Sequence, residues 1–395
     1  MIEFLKKVNW PYSVYRELVR LKADRRFLWA EAVHQFEENP PEHFSLSDYK
    51  KAMHKQRVSF KEYNIYKFWQ LNADERMNYL SENELKCIYR KLENVNVSRW
   101  FDNKMLTHIK FNRYMQRDWI CPSISSFDTF SKFILSNDCI VKPLKGSLGK
   151  GVFMLKKDRI DNLRDIYDNC IKNGLFVEEC VKGCKELEEF HPQSLNTIRV
   201  ITMSKGEKYR VLSCLLRMGV GGNVVDNAAV GGILAPIDPI TGVLMDNGKD
   251  KVGNTYTKHP DTGKVIKGFV VPQWDKVMLA CKEMMSFVPD KVFAGWDLCI
   301  LENGEVELIE VNSGPNIMGS QITHGCGFGP KIQNVGNDLL GFDLMKLISV
   351  WSIPYSNYSE YMRYKKRSRN FNLLIKDYVD CLAMGQEKTP YNKKD

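Results

Sequence analysis

The sequence predicts an α+β protein, with a helical N-terminal region, a strand-rich middle and helical C-terminal segments. Three observations carry that expectation. Capping-box patterns open helices within the first hundred residues. A glycine-rich loop follows Lys145 between two short strands. A tight Asn303-Gly304 turn joins two strands that carry acidic residues.

The hairpin comes first because the rest of the chain is organised around it. Asn-Gly between apolar runs is a strong hairpin signal. With Asn303-Gly304 as a two-residue loop, Glu302 faces Glu305 and Asp297 lies opposite Glu310. Asn312 follows Glu310 by two and points to the same face. Directly opposed side chains stand about 4.5–5.5 Å apart at Cβ, where like charges repel. A cation between the carboxylates removes the repulsion. Magnesium, a hard ion that takes oxygen ligands and bridges to phosphates, suits two carboxylates and an amide. The plainer alternative is a pair of solvated acids on an exposed sheet face. Trp296, Leu298 and Ile300 alternate with Asp297 and Cys299, the pattern of a strand with one buried and one functional face.

Composition sets the class. The 395 residues are 44% hydrophobic and 27% charged, ordinary for a globular protein of two or three domains. The net charge of +9 suits anionic substrates such as nucleotides. The basic residues are spread and no nucleic-acid motif is present, so a nucleic-acid partner is not expected. No apolar segment follows Lys6 and Lys7, and no run reaches the roughly 18–20 apolar residues that span a bilayer. A cytoplasmic protein is expected. The 11 cysteines include no C-x-x-C pair, so neither a zinc ribbon nor a disulfide frame is expected, and most should be reduced and buried.

Residues 1–96 read as a helical region. Leu18, Leu21 and Phe27 space a helix over Tyr15–Trp29, and Pro40-Pro41 ends it. Its basic side carries Arg16, Arg20 and Arg25. Interleaved acids favour a solvated face over peripheral membrane contact. Ser45 with Asp48, Asn72 with Glu75 and Ser81 with Glu84 open three further helices. A connecting helix and loops lead to the strand Cys139-Ile-Val-Lys-Pro-Leu144. A glycine loop, a helix ended by Gly174 and the strand Leu175–Val181 follow. From Asn196 the chain turns to a β meander, with strands over Thr197–Met203 and Tyr209–Arg217 about a turn at Ser204–Gly206. A helix over Trp274–Phe287 precedes the acidic hairpin. After Pro330, Leu339–Tyr358 and Ser359–Met384 read as helices, and the tail from Gln386 is polar. Gln321 and His324 fall just past the hairpin, where they could meet an acceptor or simply shape a loop. His191, before Pro192, is expected to shape a loop. The basic run Arg363–Arg369 reads as a solvated helix face.

The loop Gly146-Ser-Leu-Gly-Lys-Gly151 offers unobstructed backbone N–H groups, as phosphate cradles need. It is not a Walker loop, because a strand and not a helix follows. Lys142, inside an apolar strand, must either extend its head to water or meet an anion, and a phosphate would serve. In order, the chain offers a lysine strand, a glycine flap, a strand ending in Glu-Glu, an arginine-bearing meander, and Asp followed by Glu-x-Asn. With that order it resembles the ATP-grasp family. His191-Pro-Gln-Ser-Leu-Asn-Thr-Ile-Arg-Val200, Val230-Gly-Gly-Ile233, Gly295-Trp-Asp297 and Ile309-Glu-Val-Asn312 bring it nearest to the sugar-transfer-associated ATP-grasp proteins. It is similar, more distantly, to ribosomal-protein glutamate ligases and D-alanine–D-alanine ligases.

The resemblance covers roughly residues 97–330 and implies an ATP-grasp fold, two α+β lobes gripping nucleotide. A small lobe over 97–190 would carry the flap and a second lobe over 191–330 the metal site, with C-terminal helices over 331–395. It implies that Lys104 and Lys142 contact ATP phosphates and that Gly146, Ser147, Gly149 and Gly151 form the flap. Glu178, Glu179 and Val181 would belong to the hinge that holds adenine. Glu186 or Glu188 would bind the ribose, with Glu186 the preferred choice. Arg199, Arg217 and Asn227 would surround the transferred phosphate and the acceptor. Asp297, Glu310 and Asn312 would hold two magnesium ions, manganese being an alternative. One departure is the helical N-terminal third, where many ATP-grasp ligases begin with a βαβ lobe; it leaves the acceptor open.

The reaction so implied is an ADP-forming ligation of a small-molecule carboxylate to an amine or sugar nucleophile through an acylphosphate, in surface-polysaccharide or sugar-conjugate biosynthesis. Two alternatives share the same machinery: a small-molecule or sugar kinase, and a non-catalytic nucleotide-binding regulator.

Overall fold

A computed structural model describes residues 45–92, 94–145, 151–222, 231–289 and 291–348. The expected helix over Tyr15–Trp29, the helix over Ser359–Met384, the basic run and the polar tail lie outside the described residues. The chain divides into two compact units, one formed by residues 1–92 with 316–395 and the other by 93–315.

Among the described residues, the N-terminal part of the first unit holds four α-helices: α1 Leu46–Gln56, α2 Phe60–Ile65, α3 Ala73–Asn78 and α4 Glu82–Leu92. Their starts are set locally. The Ser45 hydroxyl accepts from Asp48 N at 3.3 Å. Asn72 and Glu75 form a reciprocal box, and so do Ser81 and Glu84. A third box, Ser59 with Glu62, opens α2 at a start not expected from the sequence. Each box satisfies backbone N–H groups that a helix start leaves without partners. Tyr49, Tyr63 and Phe68 form an aromatic core that α1 and α2 cover. Arg76 ties the surface of that core by gripping Asp48 at 2.9 and 2.8 Å.

The second unit holds two sheets. It enters through helices α5 Val95–Asp102 and α6 Lys104–Lys110 and the short strand β1 Trp119–Ile120. Helix α7 Phe127–Ser136 precedes strands β2 Cys139–Pro143 and β3 Phe153–Leu155. Helix α8 Leu163–Asn173 then ends at Gly174, whose left-handed φ of 58° closes it as expected, and strand β4 Leu175–Glu179 follows. These strands make a four-stranded sheet in the order β1-β4-β2-β3. Phe130, Ile134, Val141 and Val177 fill the space between the sheet and its helices.

Helix α9 Lys185–Glu188 leads to the larger sheet. Its strands are β5 Thr197–Lys205, β6 Lys208–Met218, β7 Ile233–Ile237, β8 Gly248–Lys249 and β9 Thr255–Tyr256. After helix α10 Trp274–Ser286 come β10 Phe293–Ile300 and β11 Val306–Asn312. The order β11-β10-β5-β6-β7-β8-β9 places β10 inside the sheet. All eight of its residues are buried. Protein lies on both sides of the sheet there, so the face that carries Asp297 is buried as well. Trp296 anchors the inner face. Its indole donates to Thr202 at 2.9 Å, and it packs against Phe101 and Phe111. The β5–β6 turn is tighter than expected: Lys205 pairs with Lys208, and Gly206 takes a left-handed φ of 58°.

The chain then returns to the first unit through α11 Met318–His324 and α12 Gly329–Leu340. Gly341, with φ 75°, ends α12, so a helix starting at Leu339 is corrected. Gln321 and His324 are also explained. The Gln321 amide is buried on Tyr66 at 2.9 Å and on the Leu80 backbone at 3.0 Å, and His324 Nδ1 donates to Ser320 O at 2.8 Å. Both are fixing groups of this unit.

Burial pushes the Glu84 carboxyl up to about 7. A carboxyl raised by folding binds its proton more tightly in the folded state, so the contribution of Glu84 to stability is greatest at low pH. It falls as pH rises from about 4.3 towards 7. We expect the melting temperature to decline between pH 5 and pH 7.5. Glu84→Gln, which keeps the cap, should flatten that slope in thermal melts followed by circular dichroism; an unchanged slope would refute the assignment.

Candidate functional site

The site starts from strand register. Asp297 has Arg199 of β5 as its partner on one side and Glu310 of β11 on the other. Register partners share a sheet face, so one cation and two carboxylates form a row across three strands. Arg199 grips both oxygens of Asp297, with Nη2 2.6 Å from Oδ2 and Nε on Oδ1. Arg217 reaches Oδ2 at 3.0 Å, and the Asn312 amide donates to Oδ2 at 3.3 Å. Burial alone would raise the Asp297 carboxyl; the two guanidiniums outweigh it and bring it down to about 2. Gly295, the register partner of Asn312, makes room for this. A Cβ there would lie 2.7 Å from Pro315 Cβ and 3.3 Å from Asn312 Cβ.

The Asp297–Glu310 pairing holds, but by another route than a two-residue loop. Leu301 N donates to Glu305 O at 2.9 Å, so the loop is Glu302-Asn303-Gly304, with Gly304 left-handed at φ 77°. Glu302 does not face Glu305. Near the loop Ile300 pairs with Val306, one residue off the expected register, and a bulge between Asp297 and Leu298 restores it. Ile309 is the residue left over. Bulges of this kind bend a strand and re-aim its side chains.

Arg117, between α6 and β1, holds the bulge. Its Nη1 donates to Glu307 Oε1 at 2.5 Å and to Leu308 O at 2.6 Å. Its Nη2 donates to Ile309 O at 3.0 Å and lies 3.2 Å from Glu178 Oε2. The guanidinium thus joins β11 of the large sheet to β4 of the small one. Glu178 also pairs with Lys142 and accepts from His108 Nε2 at 3.1 Å. Burial would raise the Glu178 carboxyl, but Arg117 and Lys142 hold it well below the usual carboxylate range. For Lys142 burial wins over Glu178 and lowers the ammonium. Burial likewise lowers His108, so a neutral imidazole donates to the carboxylate.

A cavity of about 640 Å³ opens against these groups, a size that suits a nucleotide-sized ligand. Lys104, Lys142, Glu178, Glu179, Val181, Arg217, Asp297 and Glu310 line it. Lys104 Nζ stands 3.7 Å from Glu310 Oε1. Arg199 and Asn312 are held against Asp297. Of the two ribose candidates, Glu188 lines the cavity, whereas Glu186 is exposed and does not. Gly151 takes a left-handed φ of 73° beside Pro143. Gly146, Ser147, Gly149 and Asn227 lie outside the described residues. Arg117, His108 and Glu307 escaped the sequence reading. Gln116-Arg117-Asp118 reads as a solvated loop, and only the placement of Glu307 at an inward position of β11 hints at a buried cation.

Asp297, Glu310 and the Asn312 carbonyl are hard oxygen donors that fit magnesium in kind. Among the described residues, no three His, Cys, Asp or Glu side chains form a ready metal cluster. Both Asp297 oxygens are engaged by guanidinium groups, so ligation by Asp297 requires one of them to yield an oxygen.

Two antiparallel sheets with a cavity between them, flanked by a lysine strand and an acidic hairpin, define the ATP-grasp class. The model of the sugar-transfer associated ATP-grasp family matches residues 89–337, and the chain belongs to that family. No curated protein matches the sequence. Among solved structures, the chain is similar to the ATP-grasp ligase PsnB complexed with minimal precursor, at 11% identity and a TM-score of 0.39, over 62% of this chain and 63% of that one. It is also similar to D-alanyl-alanine synthetase A from Vibrio cholerae O1 biovar eltor, at 13% identity and 0.37, over 64% and 66%. For the D-alanine–D-alanine ligase from Coxiella burnetii the values are 13% and 0.37, over 70% and 64%. No helix of the described residues is long and apolar enough to cross a membrane.

Removing Arg117 leaves Glu178 and Glu307 buried without their shared cation. We expect Arg117→Met to cost about 3–5 kcal/mol in urea melts. The double variant Arg117→Met/Glu307→Met should recover part of that loss. A single variant as stable as the parent would show that the bridge does not hold the sheets.

Proposed function

We propose that the protein is an ATP- and magnesium-dependent, ADP-forming ligase that joins a small-molecule carboxylate to an amine or another nucleophile. One observation carries the reading: one cavity is lined by Lys142, Arg217, Asp297 and Glu310 together with the Glu179–Val181 segment. Family membership supports nucleotide as the ligand, and the family's description supports a sugar-conjugate setting.

The chain's own residues divide the work. The backbone and side chains of Glu179–Val181 would receive the adenine and Glu188 the ribose. Lys104 and Lys142 would meet the phosphates, and a lysine whose ammonium is lowered by burial gains most from an anion beside it. Arg199 and Arg217 are already held on the face of Asp297. From there, a guanidinium released from Asp297 would hold the γ-phosphoryl group as charge builds on its oxygens. Asp297, Glu310 and Asn312 would ligate magnesium, which when bound neutralises the β- and γ-phosphate oxygens. The substrate carboxylate attacks the γ-phosphorus, ADP leaves, and the nucleophile then displaces phosphate from the acylphosphate. A kinase would stop after the first transfer and release no free phosphate, so phosphate release separates the two readings.

Three measurements test this. A fluorescent ATP analogue should bind only weakly without magnesium, and saturating Mg·ATP at about a hundred times its Kd should add about 2.7 kcal/mol of stability. Glu310→Gln, at a partly exposed side chain, should keep the melting temperature and lower ³¹P-detected ADP formation with a metabolite extract by about a hundredfold, ~2.7 kcal/mol. Lys142→Met should weaken nucleotide binding about tenfold. Full activity in Glu310→Gln would remove the metal assignment.

A further inference from the structure

Outside the phosphate and metal row, the cavity lining includes a serine with a base in hydrogen-bond reach of its hydroxyl. Ser194 lines the cavity and is 6% exposed; His191, 2% exposed, sits beneath it. His191 Nδ1 is 2.8 Å from Ser194 Oγ, and His191 Nε2 is 2.7 Å from the carbonyl oxygen of Gly221. A carbonyl only accepts, so Nε2 carries the proton. In the neutral ring Nδ1 is then the bare nitrogen, to which Ser194 donates. Asp261 stands 3.7 Å from Nε2 and accepts from Gly221 N at 2.6 Å. His259, whose ring centre is 5.9 Å away, is kept neutral by burial and donates to Gly219 O at 2.7 Å. The backbone at Gly219 passes so close that a Cβ would lie 2.1 Å from Ser194 Oγ and 2.7 Å from His191 Nδ1. A hydroxyl, a base in hydrogen-bond reach and a third group that orients the base are the parts of an activated nucleophile.

We propose that Ser194 is a base-activated hydroxyl that attacks phosphorus and accepts a phosphoryl group from nucleotide bound in the same cavity. The donor rests on the nucleotide reading above; the dyad does not. In the step, a bond forms between Ser194 Oγ and the γ-phosphorus of ATP. The bond from that phosphorus to the bridging oxygen breaks, and its electron pair leaves with ADP. The hydroxyl proton passes to His191 Nδ1. The resulting imidazolium keeps its Nε2–H on the Gly221 carbonyl, with the Asp261 carboxylate beside it.

The full chain is incubated with Mg·ATP and mapped by peptide mass spectrometry, with binding of a fluorescent ATP analogue measured in parallel. The expected result is one phosphoryl group on Ser194, absent in Ser194→Ala and slowed about a hundredfold in His191→Gln, each read at saturating nucleotide. Bound nucleotide with no phosphoryl group on Ser194 overturns the proposal, as does phosphorylation at other residues alone. If the protein binds no nucleotide, the proposed function fails, and a fluorophosphonate tests the dyad instead. That probe also places phosphorus on an activated hydroxyl, with fluoride leaving. Labelling of Ser194 that His191→Gln removes upholds the dyad, and an unlabelled Ser194 in the wild-type protein overturns it.

Discussion

The buried guanidinium of Arg117 is the point on which the second unit depends. It lies between two carboxylates, Glu307 and Glu178, that belong to different sheets. Burying three charges has a large desolvation cost, which is recovered only if each finds close partners. Arg117 finds four acceptors, two of them backbone carbonyls at the bulge before Glu310. A lysine could not reproduce this, since it lacks the planar fork that meets several acceptors at once. The same group therefore fixes the spacing of the sheets, the shape of the bulge and the ionised state of Glu178, which in turn holds Lys142.

The charges of the cavity follow from this frame. Positive groups are attached to carboxylates: Lys142 to Glu178, Arg199 and Arg217 to Asp297, and Lys104 near Glu310. Such pairs keep the cavity stable when empty and can be re-partnered when an anion and a cation enter together. Nucleotide phosphates would take the lysines and arginines, and magnesium would take the carboxylates. The low-dielectric surroundings make each exchange worth more than it would be in water. The Ser194–His191 pair stands apart from this row, with His191 held on the Gly221 carbonyl and the Gly219 backbone packed close against both side chains.

The first unit relies on a different device. Its helices begin at side chains that satisfy their own first turns, and its aromatic core is drawn from neighbouring stretches of chain. Burying Glu62 and Glu84 in those caps raises both carboxyls, which couples this unit's stability to pH without reference to the cavity.

What the sequence by itself determined was local. Ser45, Asn72 and Ser81 announce helix starts because a cap and its partner are only three residues apart. Gly174 announces an end because φ near +58° excludes most other residues. The Asp297–Glu310 pairing was legible because hairpin partners are fixed by a nearby turn, although a three-residue loop and a bulge produced it together. The order of lysine strand, glycine loop and acidic hairpin was enough to place the family. Only the tertiary structure decided that Arg199 is the other partner of Asp297, that Arg117 joins the sheets, that Gln321 is a fixing group and that Ser194 meets His191 at a cavity wall beside Gly219. The partners of Asp297, Arg117 and Gln321 are separated by 98, 190 and 241 residues. Contacts at such separations arise from how the sheets and helices pack, and no local pattern of charge or hydrophobicity encodes them.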